Sequence, residues 1–170
     1  MAASTQPSGA TPLGSRACPT PIGTLGLIGS PNGLRELRWS CDGLDPDDSC
    51  EALDEAARQL TDYFDGVRKA FDLPLDLVGT PFQLKAWRAL AEIPYGTTVS
   101  YAEQARRIGH PTAVRAVGAA NGRNPVAIVL PCHRIVGSDG SLTGFGGGLE
   151  LKRFLLDHEA AQRPLFELSV

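Results

Sequence analysis

A cysteine, a histidine and an arginine stand in consecutive positions at Cys132, His133 and Arg134, directly after Pro131 and a run of five apolar residues from Val126 to Leu130. A thiol with an ordinary pKa of about 8.5 is mostly protonated at neutral pH and reacts as the thiolate, so a nucleophilic cysteine needs a base or a positive field. His133 is the nearest base. Successive side chains on an extended segment point to opposite faces, so His133 cannot touch the Cys132 sulfur if a strand runs through both. Either the chain turns after Pro131, or a water carries the proton from one to the other. A carboxylate is needed to hold the imidazole in one tautomer, and Glu159 is the candidate. The plainer reading of Cys132 is a core cysteine, because free Cys is among the most buried residue types.

The elements that must present this segment can be read from the spacing of apolar, capping and turn residues. Residues 1–15 carry no charge and are rich in Ser, Thr, Pro and Gly, the composition of a disordered tail. Ile22 to Ile28 and Leu34 to Trp39 predict two strands joined at Ser30-Pro31-Asn32-Gly33. Asp48 and Glu51 suggest a capping box for a helix whose apolar residues Leu53, Ala56, Ala57, Leu60 and Phe64 recur at helical spacing and which should stop at Gly66. Leu73 to Val78 could return as a strand. Composition shifts at Gly79-Thr80-Pro81, dividing the chain into an α/β unit over 16–79 and a mainly helical unit over 80–170.

In the second unit, Thr80, Pro81 and Gln83 predict a capped core helix to about Glu92 that buries Phe82, Trp87, Leu90 and Ile93. Ser100 and Glu103 predict a second capping box and a helix from Tyr101 to Gly109; a third helix should open at Pro111 and end at Asn121-Gly122. Two short helices around Ile108-Gly109-His110-Pro111 have the layout of a helix-turn-helix. On the last of them Ala113, Ala116, Val117 and Ala120 form an inward stripe. Thr112, Arg115, Ala119 and Gly122 share the opposite face, where small residues around one arginine would let a phosphate backbone approach. Six glycines between Gly137 and Gly148 require a loop, and Leu149 to His158 predicts an amphipathic helix with Leu151, Phe154, Leu155 and His158 on one side.

Charge narrows the partner. The whole chain carries −3, but residues 1–79 balance at −6 and residues 80–170 at +3. From Gln104 to Ser138 there are five arginines (Arg106, Arg107, Arg115, Arg123, Arg134) and no acidic residue, an electropositive patch suited to nucleic acid. Cys18, Cys41, Cys50 and Cys132 form no C-x-x-C pair, and with His110, His133 and His158 they supply no clustered zinc set, so no metal is expected. Gly144-Phe145-Gly146-Gly147-Gly148-Leu149 fails the dinucleotide fingerprint at its last position. No secretory leader and no apolar run near about 18 residues is present, so a soluble, cytoplasmic protein with no membrane partner is expected.

Residues 80–160 resemble the active domain of the O6-alkylguanine-DNA alkyltransferases. The resemblance lies in I-P-Y-G at Ile93 to Gly96, S-Y at Ser100-Tyr101, R-A-V-G at Arg115 to Gly118, N-P at Asn124-Pro125, P-C-H-R at Pro131 to Arg134 and G-F-G-G-G at Gly144 to Gly148. The upstream pattern is similar in order to that family's first domain. The resemblance implies a ribonuclease H-like first domain and a winged helix-turn-helix-like second one. It implies a single-turnover methyltransferase of DNA repair, which binds duplex DNA in the minor groove and flips out an O6-alkylguanine, with O4-alkylthymine as a further substrate. Cys132 would then accept the alkyl group irreversibly by SN2 attack, with His133, a water and Glu159 as its proton relay. Arg115 resembles the finger that fills the vacated stack, flanked by Thr112, Ala119, Gly122 and Arg123 on the DNA. Tyr101 resembles the residue that turns the nucleotide and assists the departing guanine, and Asn124 the one that braces the thiol segment.

By the same matching, the carbonyls of Cys132 and Ile135 would accept from the guanine amino group, and the amide of Gly146 would face the alkylated oxygen. Phe145 and Gly146 stand where some relatives carry tyrosine and serine, which would widen the pocket. No cofactor is implied. A monomer in solution is expected, with cooperativity on DNA left open. Two rivals stand beside this reading, a Cys-His hydrolase and a non-catalytic module that binds alkylated DNA.

Overall fold

The computed structural model describes residues 13–45 and 48–162. Most of the expected tail lies outside the described residues, but its boundary is corrected, because Gly14 and Ser15 already belong to a first strand, β1 (Gly14–Thr20). Arg16 and Pro19 hide this strand from an apolar pattern, and it takes the edge of the sheet, where a proline can be tolerated. It pairs antiparallel with β2 (Gly23–Ser30), which pairs with β3 (Gly33–Arg38) through the two-residue Pro31-Asn32 turn. Gly33 is left-handed at φ 140, and a side chain there would collide with the Pro74 carbonyl. That close approach lets Leu34 N–H donate to Pro74 O at 2.9 Å and Asp76 N–H donate to Leu34 O at 2.9 Å. The expected strand at Leu73 to Val78 shrinks to one parallel bridge at Leu75, next to a proline that cannot extend a ladder.

Helix α1 (Glu51–Phe64) packs its apolar stripe on the sheet, with Leu53, Ala56, Ala57, Leu60, Tyr63 and Phe64 buried. Its cap differs from expectation: Cys50 is the N-cap and makes no side-chain bond, so Asp48 forms no box. Helix α2 (Pro81–Leu90) carries the expected reciprocal box of Thr80 and Gln83. A short strand β4 (Val99–Ser100) leads into α3 (Tyr101–Arg107), where Ser100 caps Glu103 N–H. The Glu103 carboxylate does not complete a box; it binds Arg106 at 2.7 Å and Arg107 at 2.8 Å instead. Helix α4 (Val114–Asn121) starts three residues later than expected, after a turn over Pro111-Thr112. Its buried residues are Val117, Ala120 and Asn121; Ala116 is exposed, contrary to the inward stripe.

The larger correction concerns Val126 to Leu130. These residues are buried but are not a strand: they fold into turns with a bridge between Ala127 and Leu130. Prolines at 125 and 131 deprive both ends of ladder donors. Ile128 sits at φ 74, a left-handed conformation that costs a β-branched residue on the order of 1–3 kcal/mol. After them Cys132–Arg134 forms one turn of 3-10 helix, and β5 (Ile135–Val136) pairs parallel with β4. Helix α5 (Leu149–Ala161) closes the fold, burying Lys152, Leu155 and Glu159, while Phe154 is exposed rather than inward.

One apolar core runs through both halves. Leu27, Leu53, Tyr63, Leu90, Ile128, Ile135 and Leu155 belong to the same cluster, so the sheet, α1 and the thiol segment are packed together. A second, alanine-rich cluster of Ala86, Ala105, Ile108, Val117 and Ala120 holds α2, α3 and α4. The mixed α/β class, with a small sheet followed by helices, is as expected.

Candidate active site

The turn after Pro131 resolves the geometric objection raised by adjacency. Cys132 and His133 lie on a 3-10 turn, so their side chains leave the backbone in directions that an extended segment would forbid. Asn124 staples the segment that feeds this turn. Its Oδ1 accepts from Val126 N–H at 3.1 Å and its Nδ2 donates to the Leu130 carbonyl at 2.7 Å, closing a loop around the strained Ile128.

Behind the thiol is a buried polar cluster. His133 and Glu159 have no exposed surface, and His133 Nε2 is 2.7 Å from Glu159 Oε1. Burial would raise the Glu159 pKa, but hydrogen bonds from His133 and Arg134 outweigh it and hold the carboxyl at about 2. The same oxygens accept from Tyr63 OH at 2.9 Å, Gly96 N–H at 2.9 Å, and Arg134 Nε and Nη2, each at 2.9 Å. Burial pushes the His133 pKa down, with Glu159 opposing, so the ring is neutral. An ionised Glu159 assigns the ring proton to Nε2 and leaves the lone pair on Nδ1. Nδ1 is buried without a hydrogen-bond partner, Cys132 Sγ included.

The thiol itself is 7% exposed. Burial raises its pKa, while a hydrogen bond from Asn124 and the charge of Lys152 pull it back. Lys152 has no exposed surface; its Nζ donates to Thr143 O at 2.8 Å and Gly144 O at 3.4 Å and lies 5.8 Å from the centre of the Tyr101 ring. Burial lowers the Lys152 pKa, and the Cys132 charge opposes that shift in part.

In front of the thiol is a cavity of about 210 Å³. It is lined by Tyr101 of α3, by Gly118, Asn121 and Gly122 of α4, by Cys132, and by Gly144, Phe145 and Gly146 of the glycine loop. Asn121 and Gln104 exchange two amide hydrogen bonds of 2.7 and 3.1 Å, which fixes α4 against α3 at the cavity wall. The Tyr101 hydroxyl donates to Thr143 O at 2.9 Å, so it would have to leave that carbonyl to assist a departing base. Ile135 is fully buried in the core and does not line the cavity; its N–H donates to the Cys132 carbonyl, leaving that oxygen one lone pair.

Thr112, Arg115, Ala119, Gly122 and Arg123 are all exposed along and beside α4. The five-arginine patch is thinner than the sequence suggests: Arg106 and Arg107 pair with Glu103, and Arg134 is buried on Glu159 with Nη1 on the Ile93 carbonyl at 2.6 Å. Among the described residues Arg115 and Arg123 carry no ion pair. Three contributors were not singled out beforehand: Lys152, Tyr63 and the backbone of Gly96. Gly96 lies in the I-P-Y-G motif and so had a signal, whereas Tyr63 acts across 96 positions and left none. No group of three or more His, Cys, Asp or Glu gathers as a metal set among the described residues.

Comparisons with known proteins identify the family. Residues 81–161 match the model described as 6-O-methylguanine DNA methyltransferase, DNA binding domain, and residues 16–77 the one described as its ribonuclease-like domain. The chain is similar to the methylated-DNA–protein-cysteine methyltransferase of Mycobacterium tuberculosis strain H37Rv, with 47% identity over 88% of this chain and 93% of that one. It is 49% identical to the protein of the same name from Methanosarcina barkeri, over 82% and 92% of the two chains. The crystal structure of the M. tuberculosis O6-methylguanine methyltransferase superposes with a TM-score of 0.79 at 45% identity, covering 92% and 98%. A structure of the M. tuberculosis protein in complex with DNA also superposes at 0.79, with 47% identity over 89% and 95%. Both domains, their order and their spacing thus place the chain in the 6-O-methylguanine DNA methyltransferase family.

Proposed function

We propose that this chain reverses DNA alkylation directly, moving the alkyl group of an O6-alkylguanine in duplex DNA, and that of O4-alkylthymine, onto Cys132. The observation that carries the reading is the position of Cys132, with its sulfur on the floor of a cavity next to the exposed α4 face and a neutral His133 held by Glu159 behind it. Methyl transfer from DNA to a protein cysteine is the activity named for the relatives above, and it is the activity of this chain.

The duplex docks on Thr112, Arg115, Ala119, Gly122 and Arg123, and Arg115 enters the stack to offset part of the few kcal/mol that extruding a base costs. The extruded base fills the cavity with its alkyl carbon in line with Sγ. His133 Nδ1 draws the thiol proton through a water, and Lys152 and Asn124 favour the thiolate. The S–C bond forms as the C–O6 bond breaks, the electron pair passes to O6, and the guanine takes up a proton. Tyr101 assists at the base by its hydroxyl and Gly146 by its backbone N–H, both from the cavity wall, whereas Ile135 lies behind that wall. Hydrogen bonds that strengthen as charge develops on the leaving group are the effective ones. The electrophile arrives on the substrate and no electrons are exchanged with a carrier, so the step needs no cofactor.

The four free cysteines suit a reducing compartment, which supports action in the cytoplasm, and no described helix is long and apolar enough to cross a membrane. The test is a duplex carrying labelled O6-methylguanine. Label should move to the protein, saturate at one equivalent and vanish in Cys132→Ala; label that stays on bound DNA would overturn the proposal in favour of a non-catalytic module. Continuous turnover of a small ester would favour the hydrolase.

A further inference from the structure

The glycine loop that walls the cavity is supported mainly from the second half of the chain. Tyr101 and Lys152 hold the Thr143 carbonyl, and Gly148 N–H donates to Phe145 O at 3.0 Å. One contact comes from the first half. Trp39, the residue after β3, is half-buried with its indole against Phe145, ring centroids 5.5 Å apart at 56°. The indole also covers the next two residues: a Cβ added at Gly147 would lie 3.1 Å from Trp39 Cε2, and one at Gly146 would lie 3.7 Å from Trp39 Nε1. On its far side Phe145 meets His133 edge-on, with centroids 6.5 Å apart at 87°. Phe145, which lines the cavity, therefore lies in ring contact with Trp39 of the first half and with His133 behind the thiol.

We infer that Trp39 is a positioning residue by which the first domain sets the depth of the alkyl pocket, acting through Phe145. This rests on the reading that the cavity receives the alkylated base. A loop with six glycines in twelve residues can take many conformations, and nothing in its own sequence selects one. A rigid aromatic plate anchored on a strand does so at low entropic cost. With Trp39 in place the Phe145 ring is backed by the indole, which limits how far it can yield to a large alkyl group. Without it Phe145 can recede and admit a larger group.

The experiment measures single-turnover transfer to full-length protein from duplexes carrying O6-methylguanine or O6-benzylguanine. In Trp39→Ala the benzyl-to-methyl rate ratio should rise by roughly tenfold, the scale on which hydrophobic pockets discriminate by size. Trp39→Phe, which keeps a plate, should hold the ratio near the wild-type value. Trp39→Leu, which keeps apolar packing without a plate, should behave as the alanine variant does and serves if that one misfolds. A merely structural role would slow both substrates alike, so an unchanged ratio in a folded Trp39→Leu overturns the inference. Fluorescence gives an independent check. Subtracting the Trp39→Phe signal isolates Trp39 from Trp87, and benzylation of Cys132 by free O6-benzylguanine should shift the difference spectrum; no shift also counts against it. If the wild type transfers nothing to Cys132 from either duplex, the underlying reading fails instead.

Discussion

The two sides of Cys132 are built from opposite materials. Behind it, Tyr63, Gly96, His133 and Arg134 all converge on the Glu159 carboxylate, every oxygen is satisfied, and no water-accessible surface remains on His133 or Glu159. In front of it the cavity is walled by Gly118, Gly122, Gly144 and Gly146, with the aromatic rings of Tyr101 and Phe145 as its only large walls among the described residues. A buried carboxylate with this many donors is held rigidly and fixes the His133 ring before substrate arrives. A glycine wall has little geometry of its own and takes it from what it packs against. On the proposed reading, the back governs deprotonation and the front reads substrate shape. Damage to the back should depress every substrate equally, whereas damage to the front should change their ranking.

The largest effect tests the seam itself. Cys132→Ala should abolish label transfer while gel-shift binding of the duplex persists; loss of binding as well would mean the thiol also organises the DNA face. Glu159→Gln should come next, slowing transfer by about 10²–10⁴-fold on methyl and benzyl substrates alike, as expected for loss of general base function. It should also lower the unfolding free energy in urea by about 3–5 kcal/mol, because Arg134 would be left buried without its counter-charge. A loss confined to one substrate would break the division between back and front. Arg115→Ala should reduce duplex repair by roughly 10- to 100-fold, the cost of base extrusion without a filler, and leave reaction with free O6-benzylguanine intact.

Lys152→Met sits on the border, and its effect should be smaller, about tenfold in rate. Its charge favours the thiolate, so its loss raises the Cys132 pKa and the acid limb of the pH–rate profile should move to higher pH. The smallest effect concerns stability. His133 is depressed from 6.5 and Glu159 from 4.5 to about 2, so in both cases the unfolded chain binds more protons. Stability should therefore fall with pH, first below about 6.5 as unfolded His133 protonates, then from about 4.5 toward 2 as the contribution of Glu159 is lost. Thermal melts across that range check it, and in Glu159→Gln the lower part of the slope should flatten.

Local signals carried far in this sequence. The Thr80, Pro81 and Gln83 cap, the Pro31-Asn32 turn and the α1 stripe are all where periodicity and capping chemistry put them, since each is decided by neighbours within a few residues. His133 and Glu159, 26 positions apart, lie 2.7 Å from each other. What failed was long-range or strained. Strand β1 is an edge strand whose pairing with β2 overrides a polar, proline-containing sequence. Val126 to Leu130 has the composition of a strand but takes turns, because the Asn124 side chain and flanking prolines supply other hydrogen bonds than a ladder. Arg134 looked like part of a DNA patch because its partner Glu159 is 25 positions away. Charge counted along a chain cannot tell a solvated arginine from a buried one.

The closed back of the site has a consequence for supply. The groups proposed behind the sulfur move a proton, and a thioether has no proton to give and no leaving group that such a relay could release. A protein molecule that has reacted is spent, with its product lodged on the floor of the cavity that would have to receive the next base. The protection such a protein gives is therefore a stock and not a flow. Lesions are titrated against molecules one for one, and the rate of new synthesis takes the place that a turnover number holds elsewhere.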